Sequence, residues 1–300
     1  MLKRWQNWLI RRPLIAETIW EVAERPVPLV RERLCAYVIH WRSPDWCRAT
    51  VSSLLGSEHV DLRVVVIDNS SAECPYRDER VEVISIETNI GYAGAANVAL
   101  ARFCASEERA FLLCSHDVDI PSDSIFRMLS ALDLCTDVMV VGLAHPTETL
   151  EEKAHTIRCR DRSFVSGSLL MTRREVALTA SFPAAFGSYV EDVWWCFACW
   201  DRGYRCAVVA DRTMTSHGSI SPNAHRMIVR NTVQIAILRR GRLAGWSMRA
   251  LFVLEGIKDF VLSVFVRPAG RARRRTLGCQ SIAGVWDSIS MTRSIQTNRR

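Results

Sequence analysis

The sequence predicts an α/β fold, a parallel sheet with helices on both faces, continued by a helical tail. Three observations carry this reading. Short apolar runs alternate with helical stretches from Leu34 onward, polar turn-forming clusters stand at the ends of those runs, and beyond Ala207–Val209 the pattern is helical to the end without an internal repeat.

Taken in order, residues 1–33 read as an amphipathic lead-in. Trp5, Trp8, Leu9 and Trp20 stand there among Lys3, Arg4, Arg11 and Arg12, and Pro26 and Pro28 close it. Leu34–Ile39 reads as a strand, Pro44–Leu55 as a helix, and Leu62–Ile67 as a buried strand ending in the turn formers Asp68-Asn69-Ser70-Ser71. Val81–Ile86 follows as a strand, Ala93–Ala105 as a helix, and Ala110–Cys114 as a strand ending in Ser115-His116-Asp117-Val118-Asp119. The remainder reads as a helix near Ser122–Leu134, a strand at Val138–Leu143, a polar loop over Pro146–Arg162, and a Ser166-Gly167-Ser168 turn into the strand Leu169–Met171. Parallel sheets bind ligands beyond the carboxyl ends of their strands, so chemistry is expected at Asp68-Asn69 and at Asp117-Val118-Asp119.

Three hundred residues suit one large domain or two small ones, and 49% hydrophobic with 24% charged residues is ordinary globular composition, which excludes wholesale disorder and a disulfide-stapled miniature fold. Eleven cysteines without framework spacing fit free, buried thiols in a reducing compartment. The longest apolar stretch, Ala250 to Val266, is interrupted by Glu255, Lys258 and Asp259, so no spanning helix is expected. Met1-Leu2-Lys3-Arg4 leads into neither an apolar signal core nor a cleavage site, so a secretion signal is not expected and the chain reads as cytosolic. Charge is unevenly placed. From Arg239 onward thirteen Lys and Arg face three Asp and Glu, whereas the first 238 residues carry 26 against 29. The basic character therefore belongs to the tail.

Asn89-Ile90-Gly91-Tyr92-Ala93-Gly94-Ala95-Ala96-Asn97 sets two glycines at a strand-to-helix junction, where backbone can approach a phosphate or sugar closely. The Gly-x-x-Gly spacing, with no acid ending the next strand, excludes a dinucleotide fingerprint; the plain alternative is glycine serving helix packing. Asp117 and Asp119 offer hard oxygen ligands for Mg²⁺ or Mn²⁺ against a diphosphate, or merely a solvated turn. Glu191-Asp192, beside Trp194 and Trp195, reads as a desolvated general base or as the dipole-stabilised first turn of a helix. Cys196-x-x-Cys199 lacks a second pair at ligand spacing and reads as buried helix cysteines; His145, His155 and His225 are isolated and read as structural or solvent-facing.

The order of these motifs resembles the family 2 glycosyltransferases of GT-A fold, and within them the rhamnosyltransferase-like branch. The resemblance runs from about Leu34 to Asn231 through Asp68-Asn69-x-Ser71, the Asn89–Asn97 loop, Asp117, Ser166-Gly167-Ser168, Glu191-Asp192, Gly203-Tyr204 and His217. It implies a nucleotide-diphospho-sugar transferase fold, a Rossmann-like mixed sheet with flanking helices, plus a helical C-terminal extension. The implied division is a lead-in at 1–33, a catalytic domain at 34–231 and a basic helical region at 232–300. Asp68 and Asn69 would meet the base or ribose; Asn89, Gly91, Ala93, Gly94 and Asn97, with Gly167, would line the donor's phosphates and sugar. Asp117, with Asp119 and His217, would hold a divalent metal (Mg²⁺ or Mn²⁺), and Asp192, with Glu191 beside it, would be the general base of an inverting transfer. The implied partners are a nucleotide-diphosphate sugar donor and a glycan or polyprenyl-linked acceptor in bacterial surface or cell-wall polysaccharide synthesis. The sequence departs from the family pattern at Ser115 and His116, where further carboxylates or Asn are usual, at Trp194 and Ala198, where a second Asp and an Arg are usual, and at Trp41, where a polar Asn is common. A catalytically inactive GT-A-like protein acting as a membrane-surface scaffold is the alternative. For the tail, an arginine cluster at Arg271, Arg273, Arg274 and Arg275 directly after an apolar amphipathic stretch, with no helix-turn-helix or RNA-stacking pattern, implies an anionic membrane surface on the cytoplasmic face and no nucleic acid.

Overall fold

Nine strands of the computed structural model form one mixed sheet; residues 18–70, 78–178, 181–217, 223–263 and 268–297 are described. The strands are β1 (Ile19–Ala23), β2 (Glu32–His40), β3 (Val60–Asp68), β4 (Val81–Ser85), β5 (Ala110–Ser115), β7 (Val138–Ala144), β8 (Thr156–Arg162), β9 (Leu169–Arg173) and β10 (Arg205–Thr213), ordered β1-β8-β10-β7-β9-β5-β2-β3-β4. A separate two-stranded ribbon pairs β6 (Val118–Asp119) with β11 (Thr215–Ser216). Helices α1 (Pro44–Leu55), α2 (Gly91–Cys104), α3 (Ser124–Leu134), α4 (Arg174–Ala177) and α5 (Glu191–Asp201) complete this part.

The sheet is parallel at β2/β3 and β2/β5, where helices lie along the connections, and also at β3/β4, and β10 runs parallel to β7. It is mixed because β9 runs antiparallel to both β5 and β7, and β8 antiparallel to β1 and β10. No α-helix lies between β7 and β9, and without a crossover helix successive strands reverse. The expected polar loop over Pro146–Arg162 is therefore corrected: its second half is β8. Ile157, Cys159 and Asp161 point inward while Arg158, Arg160 and Arg162 alternate outward. The expected lead-in is corrected as well where it is described, since Trp20 lies in β1, pairs with Cys159, and donates its indole N–H to Asp161 Oδ1 at 2.9 Å. Residues 1–17 of that lead-in lie outside the described set.

Alternate residues of β2, β3 and β5, among them Ala36, Val38, Val64, Val66 and Leu112, are buried with Val51 and Leu54 of α1 and Ile125 and Leu129 of α3 in one apolar core. Complete burial of a Val, Leu or Ile side chain contributes about 1.5–3 kcal/mol. Arg127 of α3 is a charged exception at 2% exposure. It donates to Asp211 Oδ2 and to the Thr156 carbonyl, each at 2.8 Å, and to Glu24 Oε1 at 2.9 Å, so one guanidinium ties α3 to β8, β10 and the chain after β1. The register sets His40 opposite Asp68 and Ile39 opposite Ser115, which brings the ends of β2, β3 and β5 to a common edge.

The chain divides into two units, Met1–Gly187 with Glu191–Gly218, and Ser188–Val190 with Ser219–Arg300. In the second, α6 (Ala224–Arg240), α7 (Arg242–Leu262) and α8 (Pro268–Thr297) pack on one another. Glycines permit the closest crossing: a Cβ on Gly256 would lie 2.9 Å from the Gly278 carbonyl oxygen. Asn231 donates to the carbonyls of Ser188 (3.0 Å) and Tyr189 (2.6 Å), holding a segment in which Tyr189 and Val190 both take positive φ, 68° and 71°. Non-glycine residues rarely adopt that conformation, and here it immediately precedes Glu191.

Candidate functional site

Four groups of residues build the candidate site, each fixed by the end of a strand or helix. At the end of β3, Asp68 is fully buried. Its Oδ1 accepts from His40 Nδ1 (3.1 Å), the Ser70 N–H (3.1 Å) and the Ser70 hydroxyl (2.5 Å), while Oδ2 has no partner among the described residues. Because a carboxylate only accepts, His40 Nδ1 carries the proton; its Nε2, likewise buried, also has no partner among the described residues. A buried carboxylate oxygen without a donor is costly unless a ligand supplies one. Asn69 is differently engaged. Its amide donates to Asn89 Oδ1 (3.1 Å) and the Gly91 carbonyl (3.2 Å), and it accepts from the Ile90 N–H (3.0 Å), so it builds the turn beside it.

The helix expected over Ala93–Ala105 is α2, which begins two residues earlier at Gly91, so Gly91 to Asn97 form its first two turns and only Asn89 and Ile90 of the expected loop precede it. Gly91 sits at φ +76°, and a Cβ there would lie 2.6 Å from the Gly187 carbonyl oxygen, while the Ala93 N–H donates to that same carbonyl at 2.8 Å. Close passage of another backbone demands glycine at this point. Ala93 is buried, Gly94 lies against the Ile90 side chain, and Asn97 grips the backbone of Phe182, donating to its carbonyl (2.9 Å) and accepting its N–H (2.8 Å).

Past β5, the β6/β11 ribbon brings Asp117 and His217 side by side: the His217 N–H donates to the Asp117 carbonyl at 2.8 Å. The Asp117 carboxylate accepts the hydroxyls of Ser115 (2.5 Å) and Ser216 (2.8 Å). Asp119 is exposed, opposite Thr215. His116 donates Nδ1–H to the Ile39 carbonyl at 3.2 Å and stacks on Trp46; burial lowers its affinity for a proton, so the ring is held neutral. Among the described residues no three His, Cys, Asp or Glu side chains form a cage for a metal. Asp117 and His217 meet here through their backbones, and a carboxylate with an imidazole is a pair of donor types that an ion such as Mg²⁺ or Mn²⁺, keeping most of its shell for phosphate and water, can use.

The fourth group is the start of α5. Asp192 accepts the Gly167 N–H on Oδ2 (2.8 Å) and the Val193 N–H on Oδ1 (2.7 Å). The Gly167 carbonyl in turn accepts the Tyr92 hydroxyl at 2.5 Å, so the backbone of one residue links Tyr92 to Asp192. Burial pushes the Asp192 carboxyl above the ordinary carboxylate range, against the pull of those N–H groups. Glu191, 5% exposed, is pushed well above it by burial and by the charge of Asp192, and its Oε2 has no partner among the described residues. The buried Tyr92 hydroxyl is held neutral by burial and then by Glu191, Cys114, Asp192 and Asp117. Asp117, just before β6, and the two acids that open α5 therefore lie within electrostatic reach of one phenol.

Of the residues expected at the site, Asp117 with His217, and Gly167 with Glu191 and Asp192, are thus assembled; Asn69 and Asn97 are engaged with the protein itself. Tyr92 and His40 are the participants that sequence reading passed over. Tyr92 stood inside a motif read for its glycines, Asn89, Ala93 and Asn97, with no role given to the phenol. His40 has no signal beyond ending an apolar strand, and its partner lies 28 residues on. Cys196 and Cys199 are buried in α5 as expected, and Gly203, at φ +91°, follows the end of that helix.

No protein-family profile and no curated protein sequence matches the chain. Solved structures do. The mannosyltransferase PcManGT from Pyrobaculum calidifontis, in complex with GDP-Man and Mn²⁺, superimposes with TM-score 0.58 at 14% identity, covering 96% of this chain and 93% of that one. S. aureus TarS 1-349, in complex with UDP-GlcNAc, gives 0.51 at 16% identity over 84% and 81%. Against the longer S. aureus TarS chain the score is 0.50 at 16% identity, and the match spans 87% of this chain but 49% of that one. At such identities the likeness is one of fold. It is the GT-A architecture, a large mixed sheet with flanking helices, here with a C-terminal helical part.

Proposed function

We propose that this chain is an inverting glycosyltransferase, of hexosyl or rhamnosyl type, that moves a sugar from a nucleotide-diphosphate donor to a glycan or polyprenyl-linked acceptor in bacterial surface or cell-wall polysaccharide synthesis. The observation that carries the reading is that two carboxylate sets are held by hydrogen bonds near the strand ends: Asp192, beside Glu191, on the Gly167 and Val193 N–H groups, and Asp117 on the Ser115 and Ser216 hydroxyls. One set suits a departing diphosphate and the other an arriving hydroxyl. Asp192 has the features of a general base. Its oxygens are aimed by two backbone N–H groups, and burial raises its affinity for the proton it must accept. The acceptor O–H gives its proton to Asp192 as its oxygen bonds to the anomeric carbon, and the bond from that carbon to the diphosphate oxygen breaks on the opposite face, inverting the centre. Asp117 and His217 would hold the divalent cation, which when bound supplies positive charge to the leaving diphosphate. Asp68, with its open Oδ2, is suited to an N–H of the base. Backbone at Gly91 and Gly167 would border the donor. In this reading residues 34–231 are catalytic and 232–300 form a basic helical region.

A second reading is a GT-A-like scaffold without activity. It is favoured by Trp194 and Ala198 at positions where the family places Asp and Arg, and by the internal engagement of Asn69 and Asn97. Donor hydrolysis screened across nucleotide sugars with Mn²⁺ present separates the two. Turnover of at least one donor that Asp192→Asn abolishes supports transfer; binding of nucleoside diphosphates without turnover of any donor supports the scaffold.

A further inference from the structure

On α7 the hydrophobic pattern points outward. Leu243, Trp246, Ala250, Leu254, Ile257 and Val261 recur at steps of three or four residues and therefore form one stripe, and all six are exposed, Leu243 by 84%, Trp246 by 61% and Leu254 by 64%. The opposite side, with Ala244, Met248 and Phe252, is buried. The sequence reading took the run from Leu251 to Val266 as the docking element; Phe252 in fact faces inward, Val264-Phe265-Val266 lie outside the described set, and the exposed stripe begins earlier, at Leu243. A contiguous apolar face of this size on a globular unit marks an interaction surface.

Charge decides the partner. The acids of α7, Glu255 and Asp259, lie on the side away from the stripe, and Asp259 is bound to Arg274 at 3.0 Å. Exposed Arg242 and Lys258 flank the stripe on either side. Near its far end stands exposed Arg275, whose guanidinium lies 5.8 Å from the Phe260 ring centre and whose Nε donates to the Ser263 hydroxyl, with exposed Arg273 two residues before it. An apolar stripe with basic edges, long side chains and a tryptophan is the form that lies in the interface of an anionic bilayer. A second copy is a poorer match, since two-fold pairing along the stripe would set Arg242 and Lys258 against their own charges. Among the described residues no helix is long and apolar enough to cross a membrane.

We propose that α7 lies in the surface of a bilayer rich in anionic phospholipid, with Leu243, Trp246, Leu254, Ile257 and Val261 entering the acyl boundary and Arg242, Lys258, Arg273 and Arg275 reaching the headgroups. This places the protein peripherally on the inner face of the cell membrane, and it does not depend on sugar transfer, because it is read without donor or acceptor. The test is sedimentation of the full chain with vesicles of phosphatidylglycerol in phosphatidylcholine, against phosphatidylcholine alone. Binding should require the anionic lipid and fall with salt. Each of Arg242→Gln, Lys258→Gln, Arg273→Gln and Arg275→Gln should lower partitioning roughly fivefold. The pair Leu254→Gln and Ile257→Gln should remove most of the remainder, and quenching of tryptophan emission by brominated lipid should drop in Trp246→Phe. Equal recovery from the supernatant with and without anionic vesicles overturns the proposal. So does a concentration-dependent dimer, abolished by Leu254→Gln with Ile257→Gln, in a chain that ignores vesicles.

Discussion

The α/β unit and the helical unit break the rule of apolar inside and polar outside in opposite ways. The first buries ionisable groups: Arg127 with Asp211, His40 with Asp68, and Glu191 lie out of water, with Asp192 half-buried beside them. The second leaves Leu243, Trp246 and Leu254 in water. Burying a carboxylate without a full set of partners costs stability, and an apolar stripe left in water forgoes burial, so departures of both kinds are where the proposed ligands are sought. The difference teaches what kind of ligand to seek: small and polar at the sheet edge, extended and apolar along α7.

The comparison is tested most severely at Asp192. Asp192→Asn keeps the shape and removes the base, and should lower turnover by about 10²–10⁴ while calorimetry shows nucleoside diphosphate binding little changed. Near wild-type turnover would return the role to Glu191. The same calorimetry should show Mn²⁺ strengthening nucleotide binding in the native chain and Asp117→Ala weakening it; identical affinity with and without EDTA would remove Asp117 from metal binding.

Not every buried charge serves chemistry. Arg127→Met strands Asp211, whose Oδ2 loses its cationic partner while its Oδ1 already has none among the described residues, and should destabilise the α/β unit by about 3–5 kcal/mol in urea unfolding. Recovery of most of that loss in Arg127→Met with Asp211→Asn would identify the stranded charge as the cause.

A smaller effect should be seen in pH. Glu191 and Asp192 bind protons more tightly in the folded than in the unfolded chain, so their ionisation opposes folding. The sign follows: their contribution is fully present below the ordinary carboxylate pKa and is lost as pH rises through the raised folded values. Glu191→Gln should flatten that decline in Tm, and an unchanged slope would mean the pair does not govern it.

Smallest of all is the expected cost at α7. Leu254→Gln should shift stability by no more than about 0.5 kcal/mol, because the side chain already faces solvent. A loss several times larger would mean that the stripe is packed against part of the chain, and the contrast between the units would fail.

Much of this was legible beforehand, for identifiable reasons. Val64 to Ile67 and Phe111 to Cys114 are buried on both faces of the sheet, so their strands read as unbroken apolar runs. Strand β8 was hidden because Arg158, Arg160 and Arg162 dominate its composition, although the alternation with Ile157 and Cys159 has period two. Asp117 and His217 were joined by the order of motifs, since nothing local in either residue announces a partner a hundred positions away. The Arg127 contacts, at separations of 29 to 103 residues, and the Tyr92 contact, at 75, escaped for the same reason.

The link from Tyr92 through the Gly167 backbone to Asp192 makes the head of α5 tolerant of substitution. Both hydrogen bonds that aim the acid come from main-chain N–H groups, and every residue except proline carries one. Side chains around it are therefore free to change without turning the acid away, and what holds its aim is the path of the backbone at the head of α5.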